Sequence, residues 1–332
     1  EICACLVGSE MCIRDRYYVA NKLYGITLTE LNNVSVYEPD VKVYEVKDAD
    51  GAYLGLFYAD YFPRTGKRGG AWMSNFREQA GDVRPLIYNV ASFTKPAGDM
   101  PSLLTLDEVE TMFHEFGHAL HGMLTKCNYL GVSGTNVAQD FVELPSQIME
   151  HWAVEPEVLK VYAKHYKTGE VIPDELIWKI QDQNTFNQGF MTTELLAAAL
   201  LDMELHNLTD TASLDVVAFE KAVMDKLGLI PEIAPRYRAT YFNHILSGYA
   251  AGYYSYLWAE VLDADAFEAF KEHGLFDKNT ADSFRRNVLE KGGTEDPMVL
   301  YKAFRGAEPS LEPLLKNLSL IHISEPTRHA QI

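Results

Sequence analysis

Cysteine is scarce in this sequence of 332 residues: there are 4, at positions 3, 5, 12 and 127. Three of them crowd into the N-terminal segment and Cys127 stands alone, so no disulfide framework can hold the fold, and a reducing compartment is compatible. Any run rich in lysine or arginine is also missing. The 29 basic residues face 47 acidic ones, a formal net charge of −18, and a chain so acidic lacks the footprint that neutralises nucleic-acid phosphates. Long apolar runs are absent too. The longest, around Leu195 to Leu201 and Tyr253 to Val261, fall far short of the roughly 20 residues that cross a bilayer as a helix. No transmembrane helix is therefore expected, and neither nucleic acid nor membrane is expected as a partner. With no internal repeat and no low-complexity linker, one domain is the simplest count. What is present, 47% hydrophobic and 23% charged residues, is the balance of a globular protein that buries a core.

Both ends read as foreign. Leu6-Val-Gly-Ser-Glu-Met-Cys-Ile-Arg-Asp15 resembles a transposon-type sequencing adapter translated in one direction, and Leu318-Ser-Leu-Ile-His-Ile-Ser-Glu-Pro-Thr-Arg328 resembles its reverse complement. Residues 1–16 and 318–332 are therefore expected to be non-native and are set aside, leaving 17–317 as the domain.

The retained segment opens with strand character. Val41-Lys-Val-Tyr-Glu-Val alternates, Asp48-Ala-Asp-Gly51 supplies turn chemistry and Tyr53 to Tyr58 is apolar and aromatic, a pattern that predicts a β-hairpin. Arg84 to Val90 is a third strand candidate. From Thr105 the period becomes helical: Thr105 and Glu108 form a capping box, and Val109, Met112, Phe113, Phe116, Ala119 and Leu120 follow at helix spacing. Further helices are expected near 139–154, 156–167, 173–184, 189–207, 213–227, 249–272, 278–290 and 297–305. The fold class is mainly α with a small β-sheet, α+β.

The chemistry concentrates in His114-Glu-Phe-Gly-His118. Histidines four residues apart project from one helix face, where both imidazoles can reach a single metal ion. Glu115, beside the first, is placed to take a proton from an attacking water and pass it to a leaving amine. The alternative is an amphipathic helix with incidental polar residues. Against it, His114, His118 and His121 share one face of an otherwise apolar helix and would need partners once buried. A zinc site requires a third protein ligand and one open position. His121, a turn further on, and Glu143, on the next predicted helix, both remain candidates. Residues seven apart lie about 10 Å apart along a helix axis, which favours a carboxylate from a neighbouring helix.

Phe113-His-Glu-Phe-Gly-His-Ala-Leu-His121, followed by Ser133-Gly-Thr-Asn136 and Asp140-Phe-Val-Glu-Leu-Pro-Ser-Gln147, resembles the M3 family of zinc oligopeptidases. The likeness continues through Phe186-Asn-Gln-Gly-Phe190 and Arg236-Tyr-Arg-Ala-Thr-Tyr-Phe-Asn-His244 to Ala303-Phe-Arg-Gly306. The resemblance implies a zincin-type catalytic domain with one Zn²⁺ per chain, held by His114, His118 and Glu143, and Glu115 as general base. The peptidyl-dipeptidase branch is nearest in flavour, implying short peptides as substrates and release of C-terminal dipeptides. An endo-acting oligopeptidase or a non-catalytic peptide-binding relative are the alternatives. The family's N-terminal half is expected to be missing here, and the full-length protein is expected to be a monomer in the cytoplasm, with the periplasm as the alternative.

Around these ligands, Gln147 and Glu150 share a helix face with Glu143 and are candidates to hold the ligands in place, as is Asp140. Tyr249, Tyr253 and Tyr256 fall at i, i+4 and i+7, which predicts three phenols on one helix face after His244; spacing alone reads them as an aromatic core stripe. The resemblance instead implies that His244, Tyr249, Tyr253 and Tyr256 bind substrate and stabilise the oxyanion, Tyr256 as donor. Arg238 and Tyr249 are candidates to receive a substrate's terminal carboxylate. Thr65-Gly-Lys-Arg-Gly-Gly-Ala-Trp72 is not a phosphate loop, because Arg68 stands where that loop needs Ser or Thr. A turn, or in the family an edge beside the cleft that pairs with peptide backbone, accounts for it.

Overall fold

The computed structural model describes residues 9–183 and 185–319, with side chains from Arg16 onward. Residues 1–8 of the suspected head and 320–332 of the suspected tail lie outside the described residues. In chain order the elements are α1 (Ser9–Tyr24), β1 (Thr27–Glu30), β2 (Lys42–Lys47), β3 (Tyr53–Asp60), β4 (Trp72–Arg77), β5 (Leu86–Val90), α2 (Leu106–Leu124) and α3 (Leu144–Val154), followed by α4 (Pro156–Tyr162), α5 (Asp174–Gln183), α6 (Gln188–His206), α7 (Val216–Leu227), α8 (Ser255–His273), α9 (Lys278–Phe284), α10 (Pro297–Arg305) and α11 (Glu312–Asn317). The mainly helical α+β class with a small sheet is what the sequence pattern predicts. Among the described residues no helix is long and apolar enough to cross a membrane.

The β2–β3 hairpin forms where alternation and turn residues place it. Tyr44 pairs with Phe57, and Gly51 takes a left-handed φ of 85° at the turn, which glycine adopts without a steric penalty. The sheet order is β1-β2-β3-β5-β4, with β3 and β5 parallel and the other pairs antiparallel. Strands β1 and β4 are not visible in the pattern: both are edge strands whose residues are half-buried or exposed, so no alternation marks them. Lys67, from the Gly-containing stretch, turns its side chain inward and donates to the Asp60 carboxylate at 2.9 Å and to the carbonyls of Asp60 and Phe62 at 3.0 and 2.8 Å. That stretch is therefore a pinned turn delivering the chain to the edge strand β4.

Helix α2 lies between the sheet and α3. Its capping box closes as expected, Glu108 N donating to Thr105 Oγ1 at 3.2 Å and Thr105 N to Glu108 Oε2 at 2.8 Å. From Val109 onward it is buried on nearly every side, because Phe116 meets Phe57 of the sheet at 5.7 Å between ring centres while the opposite face meets α3. Arg84 reaches past the sheet to the last carbonyls of this helix, Met123 O at 2.5 Å and Thr125 O at 3.3 Å, satisfying acceptors that a helix end leaves open.

Three expected helices differ from the fold. The segment expected near 139–154 is helical only from Leu144, with Glu143 as its N-cap. The one expected over 156–167 stops at Tyr162, where a short bridge pairs Lys164 with Val171. The one expected over 249–272 begins only at Ser255, because Ala251 turns left-handed at φ 50° and breaks the preceding turn. Helix α1 runs through the boundary set at residue 16, and Arg16 is fully buried, its guanidinium 4.9 Å from the ring centre of Tyr61.

Helices α2 and α3 approach each other closely at Gly117. A Cβ there would lie 2.2 Å from Pro145 O and 2.6 Å from Ser146 Cα, distances at which backbone must move. Gly117→Ala is expected to cost about 1–3 kcal/mol of stability. Because relief requires α3 to back away from the two histidines, it should also weaken binding of a divalent ion. Thermal denaturation and metal titration measure both, and an unchanged melting temperature would contradict the packing argument.

Candidate metal centre

Helix α2 presents His114 and His118 one turn apart, their rings 4.9 Å between centres and nearly perpendicular. Glu143, at the start of α3, turns its carboxylate into the gap: Oε2 lies 3.2 Å from His114 Nε2 and 3.1 Å from His118 Nε2. These three residues form the one group of metal-binding type found among the described residues, their ligand atoms all within 4.8 Å of one another. Two imidazoles and a carboxylate make a donor set that could hold a metal ion. Two donors each about 2.0–2.1 Å from an ion at tetrahedral angles stand roughly 3.3 Å apart, close to the spacing seen here. His121, the other candidate for third ligand, is fully buried with both ring nitrogens unpartnered. Burial, reinforced by the His118 charge, pushes its pKa down to about 3, so it is a neutral core histidine.

The ligands are themselves held. His114 Nδ1 lies 2.5 Å from Glu150 Oε1, which orients the ring so that Nε2 faces the gap. Ser146 Oγ, not anticipated from the sequence, donates to Glu143 Oε2 at 2.8 Å, and the Tyr249 hydroxyl donates to Glu143 Oε1. Burial alone would lower the His114 pKa, but its hydrogen bonds to Glu143 and Glu150 outweigh this and raise it well above the usual value. For Glu143 burial acts upward, and the charges and hydrogen bonds of His118 and His114 overcome it and hold the carboxyl well below its usual range. Glu115 is buried beside them with Oε2 unpartnered. Burial raises its pKa against the opposing charges of His114 and His118.

Besides His114 and His118, four expected site residues bear rings, His244, Tyr249, Tyr253 and Tyr256, and these four gather in one cluster that touches Glu143 through Tyr249. His244 lies 5.9, 5.4 and 6.1 Å, centre to centre, from Tyr249, Tyr253 and Tyr256. Tyr249 and Tyr256 stack at 5.2 Å. They reach the site from a loop and the first turn of α8, not from one helix face. Burial raises all three phenol pKa values, Glu143 adding to the effect at Tyr249 and Tyr256, so each keeps its proton near neutral pH. Burial and Arg236 lower that of His244.

Two residues expected to hold the metal-binding side chains, and Arg238, are bonded elsewhere. Gln147 donates to the Tyr256 carbonyl at 3.2 Å and so ties α3 to α8; no metal-ligand atom is its partner. Asp140 accepts from the Tyr254 hydroxyl at 3.0 Å, because the chain is still in turns at 140 and the side chain faces the loop. Arg238 is bound by Glu220 of α7, which also accepts the Ala239 N–H at 2.7 Å. Arg236 instead lines a cavity of about 590 Å³ together with Glu110, Gln147, Glu150, Glu260 and Asp263. Burial and neighbouring carboxylates push Glu110 and Glu260 up to about 8, so this wall carries less negative charge than its composition suggests. Nothing in the residue spacing singles out Arg236 over Arg238, since both flank Tyr237.

Residues 15–320 match the description peptidase family M3. The sequence is 46% identical over 309 residues to the dipeptidyl carboxypeptidase of Escherichia coli, covering 92% of this chain and 45% of that protein. It is 41% identical over 312 residues to oligopeptidase A of the same organism, covering 92% and 46%. The chain thus spans somewhat under half the length of these relatives. Among solved structures, a carboxypeptidase of Pyrococcus furiosus aligns with a TM-score of 0.51 at 14% identity, covering 95% of this chain and 58% of that one, a likeness of fold.

The raised His114 and depressed Glu143 pKa values set the behaviour of the metal-free chain. The His114 contribution to stability is complete below its unfolded pKa and is lost as pH rises through its raised value. The Glu143 contribution is present above its unfolded pKa and is lost as pH falls through its depressed value. A metal ion must displace the His114 proton, so ion uptake at pH 7 is expected to release about one proton, measurable by calorimetry in buffers of different ionisation enthalpy. Glu150→Gln should weaken metal affinity about 10- to 100-fold and reduce the proton release; unchanged values of both would remove Glu150 from the site.

Proposed function

This chain belongs to peptidase family M3, and on that premise we propose that it is the catalytic portion of a zinc metallopeptidase acting on short peptides, releasing dipeptides from a free C-terminus. The observation that carries the reading is the convergence of His114, His118 and Glu143 with Glu115 beside them. The 46% identity to a dipeptidyl carboxypeptidase supports the specificity.

Held by His114, His118 and Glu143, Zn²⁺ would polarise the scissile carbonyl and make a water nucleophilic near neutral pH. Glu115 takes the proton of that water and returns it to the departing amine. Its raised pKa suits both steps, because a carboxylate nearer the working pH accepts and releases a proton more readily. The Tyr256 phenol, protonated and half-buried, donates to the oxyanion as it forms, and neutral His244 assists from the same ring cluster. Tyr249 and Tyr253 bind the peptide backbone. Arg236 on the cavity wall takes the role considered for Arg238, receiving the substrate's terminal carboxylate through a two-pronged guanidinium contact. The edge strand β4 offers backbone groups to an extended peptide.

Glu115→Gln is expected to keep the metal while lowering turnover about 100- to 10 000-fold. Metal analysis and hydrolysis of a quenched peptide measure the two, and near-parental turnover would remove the general-base role. An endo-acting oligopeptidase is the second reading, favoured by the 41% identity to oligopeptidase A. Peptides amidated at the C-terminus separate them: their cleavage is expected to fall sharply, whereas equal rates for free and amidated peptides support endo action.

A further inference from the structure

Tyr249, which donates to Glu143, and Tyr253 and Tyr256, whose rings pack beside it, come from a segment with little regular structure. Between the 3-10 turn Asn243–Leu246 and the start of α8 at Ser255, the backbone's bonds to itself are short local ones, among them Tyr249 N to His244 O and Gly252 N to Tyr249 O, both at 3.0 Å. Ala251 in its middle is left-handed at φ 50°, a conformation that a side chain with a Cβ resists. Something outside the loop must hold it.

Asp202 of α6 is that group. Its side chain is fully buried, and its two oxygens divide the loop between them: Oδ1 accepts the Ala251 N–H at 2.9 Å and Oδ2 the Tyr253 N–H at 2.9 Å. His206, one turn further along α6, lies 2.8 Å from Oδ1 and closes the outer side. A buried carboxylate is costly unless its lone pairs are satisfied, and two amide donors flanking a left-handed residue are an anion cradle made from backbone. The cradle lies within the segment that carries the rings: Tyr253 is one of its two donors, Tyr249 precedes it by two residues, and Tyr256 stands in the first turn of the helix that follows.

We infer that Asp202 is a positioning residue, an internal anion that fixes the backbone at Ala251 and Tyr253 so that the Tyr249 hydroxyl meets the Glu143 carboxylate and the rings of Tyr253 and Tyr256 stay packed beside it with His244. It touches no reacting atom. The inference rests on the function proposed above for its effect on catalysis, but the hold on the loop can be measured without any turnover. A merely structural aspartate would be expected to loosen α6 and its neighbours together; a positioning one loosens the loop alone.

Hydrogen exchange of the metal-free chain provides the first measurement. In the unsubstituted chain the Ala251 and Tyr253 amides are expected to exchange as slowly as the core of α6 despite lying in a loop, and rapid exchange there would overturn the inference without any variant. Asp202→Asn replaces one acceptor by a donor that faces an N–H. It should speed exchange at those two amides by about tenfold or more, with α2 and α3 unchanged; unaltered exchange, or acceleration spread evenly through the helices, would overturn it. Metal stoichiometry is expected to stay at the parental value. With a peptide substrate, kcat should fall about 10- to 100-fold and KM by less than about threefold, and Ala251→Gly added to Asp202→Asn should recover part of kcat by relieving the left-handed turn. An Asp202→Asn enzyme with parental kcat would overturn the positioning role. If the unsubstituted chain cleaves no peptide, the proposed function fails, and the exchange result still decides whether Asp202 holds the loop.

Discussion

The approach of α3 to α2 is the constraint on which the site depends. Glu143 can stand 3.1–3.2 Å from both imidazoles only because the residue between them in sequence, Gly117, has no Cβ to meet the Pro145 carbonyl. Any other residue at 117 separates the helices, and Glu143, at the N-cap of α3 rather than in its body, would be drawn off first. Pro145 and Ser146 thus serve twice, as the surface against Gly117 and, through Ser146 Oγ, as the hold on the Glu143 carboxylate.

Charge is balanced locally around that contact. A carboxylate as buried as Glu143 would protonate if left alone, yet it faces two imidazoles, a serine hydroxyl and a phenol, and stays ionised. Glu115, a residue from His114 on the same helix, receives no such partners at Oε2 and moves the other way. Two glutamates in one pocket are thereby given different proton affinities, a difference that suits the separate roles of ligand and base proposed for them.

The sequence displays those parts of this arrangement that are local. The spacing of His114 and His118, the capping box at Thr105 and the β2–β3 hairpin are patterns within a few residues, and each appears in the fold. Glu143 could be preferred over His121 only by an argument about helix length and by the family resemblance, because the partner helix is out of reach of periodicity. The i, i+4, i+7 spacing of Tyr249, Tyr253 and Tyr256 imitates a helix face, and the left-handed Ala251 defeats it. Asp202 gives no sign at all: one aspartate in an alanine- and leucine-rich helix is ordinary until a loop 49 residues away donates to it. Edge strands β1 and β4 escape notice for the related reason that a half-exposed strand carries no alternation.

The ligands and the phenols also belong to different apolar clusters. His114, His118 and Glu143 stand in elements of the main core, where α2, α3 and the sheet pack together, whereas Phe242, Ile245 and Tyr253 pack with Leu195, Ala198 and Ala199 of α6 in a separate cluster. Apolar packing is non-directional and fixes neither cluster's rotation against the other. Polar bonds across the seam do so: Tyr249 to Glu143, Gln147 to the Tyr256 carbonyl and Tyr254 to Asp140. Helix α8 spans both, its first turns beside the phenols and Leu262, Ala266, Phe267 and Phe270 in the main core. The metal-binding residues and the phenols are therefore set against each other by one helix and a few directional contacts. Of the three metal-binding residues Glu143 alone is bonded from the phenol side, through the Tyr249 hydroxyl, so a shift of the phenols reaches the site through that carboxylate and not through either imidazole.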